Sequence, residues 1–138
     1  MSTRLFSAAL LILAALGASA CGSTATSPTV ETTTAFAFSS RIQEKGSAWR
    51  SFAVATAGTV TLQLTSVTQG DAVLELGLGT VSGTNCVISQ SIQTAPNATA
   101  SSPQITANVG VGTYCVRVKD IGVLTTIVDF NVVVILPI

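Results

Sequence analysis

The sequence predicts an all-β fold: an antiparallel two-sheet β-sandwich of about eight strands, in jelly-roll or another Greek-key order. Three observations carry this. Beyond residue 35, apolar side chains alternate with Thr, Ser, Asn and Gln, the period of a half-buried strand. Turn residues interrupt that alternation at roughly 8–12-residue spacing, as in sandwiches and barrels. Charged residues are only 9% of the chain, against roughly 25% in an average soluble domain. Hydroxyls and amides must therefore fill the outward positions, which suits strands better than Glu- and Lys-rich helices.

The 138 residues suffice for one domain. Residues 1–20 read as an export signal. Arg4 supplies the positive start, Leu5 to Leu16 the apolar run, and Gly17-Ala18-Ser19-Ala20 the small residues before Cys21. The run is shorter than the roughly 20 residues a membrane span needs. Two kinds of processing fit. Ala18-Ser19-Ala20 suits an ordinary signal peptidase, and the same stretch with Cys21 resembles a bacterial lipoprotein signal, in which the cysteine thiol carries the lipid. The departure is Ala18, where that pattern usually has Leu. Three cysteines leave one over after pairing, and lipidation of Cys21 accounts for it. Residues 21–34, rich in Ser and Thr, read as a flexible tether, and 35–138 as the sandwich.

The strands follow in order. Ala35 to Ser39 puts Phe36 and Phe38 on one face. After a turn at Gln43 to Ser47, Trp49 to Thr56 points Phe52 and Val54 inward and Arg50 outward. Thr59 to Val67 is the cleanest strand, with Val60, Leu62 and Leu64 inward. Gln69-Gly70-Asp71 turns into Ala72 to Leu78, with Leu74, Leu76 and Leu78 on one side. Gly77 to Gly83 looks like a phosphate-binding loop, but a strand rather than a helix follows it, so these read as turn glycines. Thr84 to Ser89 is a short strand, and Gln90 to Ser102 the longest loop. Ile105 marks another short strand. Gly110 to Asp120 is a turn and a strand with Tyr114, Val116 and Val118 inward. Thr126 to Leu136 closes the chain with Val128, Phe130, Val132 and Val134 inward; Val133 and Ile135 suggest that its far end is covered on both faces.

With the leader removed, five basic side chains face six acidic ones, a net charge of −1. That is no electrostatic footprint for nucleic acid. The chain has no histidine, which excludes His-based triads, the usual zinc sets and a histidine pH switch. Cys86 and Cys115 are expected to pair in an oxidising compartment. Closing their 29-residue separation is worth about 3–4 kcal/mol in the chain-entropy model. The acids read as solvated turn residues, although Asp120 and Asp129 could bracket a calcium loop. Neither a metal site, nor a cofactor, nor a catalytic residue is expected. Trp49, beside Arg50, is a candidate for stacking on a sugar or anchoring a protein, or else a packing residue. Binding is expected on loops at one end of the sandwich, first on Gln90 to Ser102, where Asn97 stands in the sequon Asn97-Ala98-Thr99, and otherwise on a sheet face near Trp49.

Gly46 to Val54, Gly58 to Leu64, Asp71 to Leu76 and Gly112 to Val118, in that order, resemble the bacterial pre-peptidase C-terminal (PPC) domain, over about Ser40 to Val134. The resemblance implies a small β-sandwich that serves exported proteins as an accessory module rather than a catalytic unit. Some related collagen-binding domains use calcium. Here Asp71-Ala72-Val73-Leu74 keeps only the first acid of the Asp-x-Asp-Leu often found in that family. The expected function is a non-catalytic envelope or surface module, membrane-held through a lipid on Cys21 and contacting a protein or glycan. The alternative is a soluble, secreted or periplasmic accessory or inhibitor domain.

Overall fold

The computed structural model describes residues 32–99 and 102–138; the leader, Cys21 and nearly all of the tether lie outside them. The alternating stretches become eight strands: β1 (Thr33–Ile42), β2 (Ser47–Val54), β3 (Gly58–Val67), β4 (Leu74–Ser82), β5 (Asn85–Thr94), β6 (Ile105–Val109), β7 (Gly112–Asp120) and β8 (Val128–Pro137). They form two four-stranded sheets, β1-β8-β3-β6 and β2-β7-β4-β5, antiparallel throughout. Every connection except β4–β5 crosses from one sheet to the other. That winding is the jelly roll, one of the two orders the sequence left open.

The apolar face of each strand explains the layering. Leu62, Leu64, Leu74, Leu76, Ile105, Val116, Val118, Val132 and Val134 are sealed between the sheets. Phe36 and Tyr114 pack at the rim of that core. Burying each such side chain is worth roughly 1.5–3 kcal/mol, and one sheet alone would leave the whole set in water. Ile42, Val67, Leu124 and Leu136 join the core as well. Val67 does so because Thr65 is an extra residue in the β3–β8 pairing, where Leu64 faces Val132 and Ser66 faces Asn131. The bulge flips the parity of the strand beyond it.

Several boundaries differ from the sequence reading. β1 begins at Thr33, whose partner is Pro137, so two residues assigned to the tether are strand. The strand read as Ala72 to Leu78 starts at Leu74 and runs on through Gly79 to Ser82, so the turn proper is Gly83 (φ 59°) and Thr84. β5 runs on to Thr94, which shortens the longest loop. Arg50 shares parity with Phe52 and Val54, so it faces the opposing sheet, and its guanidinium sits 5.7 Å above the Phe36 ring. An edge position allows this: the stem covers apolar surface while the charge reaches water. Val133 and Ile135 are half-buried on the outer face of the β1 sheet.

Cys86 and Cys115 form a disulfide. It lies within the β2 sheet rather than between sheets, joining β5 to β7 across β4. Strands flanking a third are ordinarily roughly 9.5 Å apart, yet these Cα atoms are 5.8 Å apart. The start of β5 curls over β4 to achieve this. Leu78 faces Gln90 while Gly79 faces Ile88, so Ser89 is an extra residue in a second bulge. Gly79 leaves the room the curl needs: a Cβ there would overlap the Val87 carbonyl oxygen.

Because neighbouring strands are antiparallel and the chain alternates direction, the connections β1–β2, β3–β4, β5–β6 and β7–β8 gather at one end of the sandwich. This end is rich in loops. The other has only the short links β2–β3, β4–β5 and β6–β7.

Candidate functional site

Trp49 stands on the outer face of the β2 sheet, 36% exposed. Register builds its surroundings. One row across the sheet runs Trp49, Arg117, Gly77, Ser91, and the next runs Ser47, Lys119, Glu75, Gln93. Period-two alternation puts all eight on this face. Arg117 reaches diagonally to Glu75, Nη2 to Oε1 at 2.6 Å, with both side chains roughly three-quarters buried. Arg117 Nε is buried and has no hydrogen-bond partner. Ile88, brought in by the curl of β5, covers Gly77: a Cβ at Gly77 would stand 3.0 Å from its Cδ1. The result is a face on which an aromatic ring neighbours an ion pair, the Lys119 ammonium, the Gln93 amide and the Ser47 and Ser91 hydroxyls. Such a face can stack a ring and hydrogen-bond its substituents.

Asn97 belongs elsewhere. Its backbone N–H donates to the Leu64 carbonyl on β3, at 2.8 Å, so Asn97 sits in a loop docked on the β1 sheet while Trp49 belongs to the β2 sheet. The loop that carries it is a structural seal. Gln63, 5% exposed, donates from Nε2 to the Asn97 and Thr99 carbonyls, both at 2.6 Å. Gln104 accepts from the Leu64 N–H with Oε1 at 2.9 Å and donates to the Leu64 carbonyl from Nε2 at 3.2 Å. Its amide thus continues the ladder of β3 beyond Ile105, the first residue of β6. Asn97 Oδ1 accepts from the Thr99 N–H at 2.9 Å, a local turn that satisfies the side chain.

The described acids do not converge. Glu44 and Asp71 are exposed, Glu75 pairs with Arg117, and Asp129 pairs with Arg41 at 2.9 Å on the surface. That pairing raises the Arg41 guanidinium above its ordinary range through the Asp129 hydrogen bond and charge. Asp120 is not a solvated turn residue: it is 3% exposed. Its Oδ2 accepts from the Lys45 N–H at 2.7 Å, and Oδ1 accepts from Gly122, Val123 and Leu124 at 2.9, 3.0 and 3.2 Å. Asp120 therefore ties the β1–β2 turn to the β7–β8 loop, while the Asp129 carboxylate is engaged with Arg41. Among the described residues, no group of three or more His, Cys, Asp or Glu side chains is placed to hold a metal ion.

Two shallow hollows lie at the loop-rich end. One, of about 350 Å³, is lined by Arg41, Ile42, Gln43, Gly46, Ser47 and Ile127. The other, of about 380 Å³, is lined by Gln43, Glu44, Thr126 and Ile127. The second has the Thr126 hydroxyl and the Glu44 carboxylate in its lining, with no hydrogen bond between them.

Sequence reasoning missed Gln63, Gln104 and the Arg117–Glu75 pair. A lone amide or charge on the polar side of a strand carries no mark of what will lie across from it. For Asp120 a signal existed: Asp followed two residues later by Gly is turn chemistry, in which the carboxylate receives backbone N–H groups. Compared with protein-family models and with curated proteins, the chain matches none.

Proposed function

We propose that this chain is a non-catalytic, exported binding module, held to a membrane through a lipid on Cys21, that presents the outer face of its β2 sheet to a glycan. The observation that carries the reading is Trp49, partly exposed beside the ordered Arg117–Glu75 pair. A pyranose needs an aromatic surface for its apolar face and charged or amide groups for its hydroxyls, and this surface offers both. The likeness to PPC domains and the leader-like residues 1–20 support an accessory role outside the cytoplasm.

Two experiments test it. In a binding screen against envelope and matrix polysaccharides, Trp49→Ala should weaken any detected interaction by about 2 kcal/mol or more, roughly 30-fold in Kd. The fold should be kept, because Trp49 is outside the core, with some loss of melting temperature from the part of the ring that is covered; circular dichroism of the variant checks this. Full-strength binding by the variant would sink the assignment of this face, and binding to proteins alone would replace glycan with a protein partner. Independently, Cys21→Ser should move the protein from the membrane fraction to the soluble fraction with its fold intact. Unchanged partitioning would remove the anchor from the reading.

A further inference from the structure

We propose that the outer edge of β5 pairs with β5 of a second copy of this chain, antiparallel about a two-fold axis close to Ile92. β5 is hydrogen-bonded to β4 alone, so its other side is a row of backbone donors and acceptors whose natural complement is another strand. Proteins usually blunt such edges with charge, proline, brevity or a bulge. Three of the four edges here follow that rule: β1 carries Arg41, β2 carries Arg50, and β6 is only five residues long. β5 has ten residues without a charge or a proline. Its bulge at Ser89 re-aims only one half. The Asn85–Ile88 half curls over β4 under the disulfide, which leaves Gln90 to Thr94 as a regular, open edge.

The side chains point to the same occupant. Ile92 is in register with Leu76 and so belongs to the core-facing side, yet it is 43% exposed. The edge strand nearest it in the other sheet, β6, has half the length of β5 and leaves this rim uncovered. A two-fold axis perpendicular to the sheet sets Ile92 against its own copy and removes both from water. Self-pairing is isologous, so each residue must tolerate its mirror partner. An uncharged β5 does, whereas self-pairing of β2 would bring the two Arg50 side chains close together at the centre of the seam. The product is a continuous eight-stranded sheet, with the two Trp49 surfaces on the same side. That last consequence, bivalent display, rests on the binding role proposed above; the pairing itself does not.

The test uses the exported Cys21→Ser chain, which removes lipid and the spare thiol. Light scattering should give the mass of a dimer that dissociates on dilution. Ile92→Lys should yield a monomer that keeps the β-sheet circular dichroism and the Cys86–Cys115 bond. Ile92→Cys should cross-link into a covalent dimer on mild oxidation, whereas Ala37→Cys, exposed on β1, should not. A monomer at every concentration would overturn the proposal and leave the edge for an extended peptide of another protein. A dimer that survives Ile92→Lys, or equal cross-linking at both positions, would place the interface elsewhere.

Discussion

Asp120→Asn should destabilise the domain by about 3–5 kcal/mol and remove part of its acid-induced unfolding. The carboxylate accepts four backbone N–H groups from two separate connections. Hydrogen bonds to a charged group are worth roughly 1.5–3 kcal/mol each, and a buried donor left without a partner costs a similar amount. The total falls short of four times that figure because three donors share one oxygen. Asparagine can keep only one of the two acceptor positions. If its oxygen serves Gly122, Val123 and Leu124, its NH₂ meets the Lys45 N–H donor to donor. Lys45 is also held at φ 57°, a left-handed conformation that a side chain tolerates only when its surroundings impose it. Losing its hydrogen bond should let the β1–β2 turn relax.

The pH dependence has a definite sign. Burial pushes the Asp120 carboxyl up, but the hydrogen bonds from Lys45, Val123, Leu124 and Gly122 together outweigh it and hold the group below its ordinary 3.8. A folded value below the unfolded one means that the unfolded chain binds the proton more readily. The stabilisation is therefore complete above the ordinary value of 3.8 and is lost as pH falls through the folded value. Urea midpoints measured from neutral into strongly acid solution should fall for the wild type in this window. They should fall less for Asp120→Asn, which starts lower. Parallel curves for the two proteins would show that Asp120 is not what couples acid to unfolding.

Gly79→Ala should be as damaging, for a steric reason. The added Cβ would overlap the Val87 carbonyl oxygen and come within 2.6 Å of its carbon and 2.9 Å of Ile88 Cα. These are backbone atoms and cannot rotate away, so the curled start of β5 must retreat. Overpacking of this kind costs typically 1–3 kcal/mol and occasionally more. A second loss is coupled to it. Cys115 is the register partner of Gly79, and Cys86 reaches it only because β5 curls. Two cysteines with Cα atoms more than about 7 Å apart cannot be bridged without backbone movement. If the hairpin straightens, the disulfide and its roughly 3–4 kcal/mol go with it. Gly79→Ala should thus release titratable thiols under air oxidation and melt well below the wild type. Gly110→Ala is the control: nothing lies within 4 Å of a Cβ there, and its effect should be small. An intact disulfide and a wild-type melting temperature in Gly79→Ala would show that the curl does not depend on this glycine.

What the sequence by itself determined follows from local alternation. Val60, Leu62 and Leu64 on β3, or Val128, Phe130, Val132 and Val134 on β8, declare a strand and its inner face because side chains two apart share a face whatever the rest of the chain does. The partner of Cys115 was equally legible, since Cys86 is the one other cysteine in a strand-like stretch. Tertiary structure alone decided the rest. The roles of Gln63 and Gln104 depend on a loop folding back onto β3, whereas the inward side of Arg50 was readable from its parity with Phe52 and Val54, and only its contact with Phe36 needed the assembled sheets. The curl of β5 turns on one extra residue, Ser89, and on the absence of a side chain at Gly79. A bulge adds no compositional signal, yet it reverses the parity of everything beyond it. Pairing between distant strands is a property of the assembled sheet, set by contacts that no stretch of sequence contains. Trp49 could therefore be singled out as a residue, but the Arg117–Glu75 pair beside it existed only once β2, β7 and β4 lay side by side.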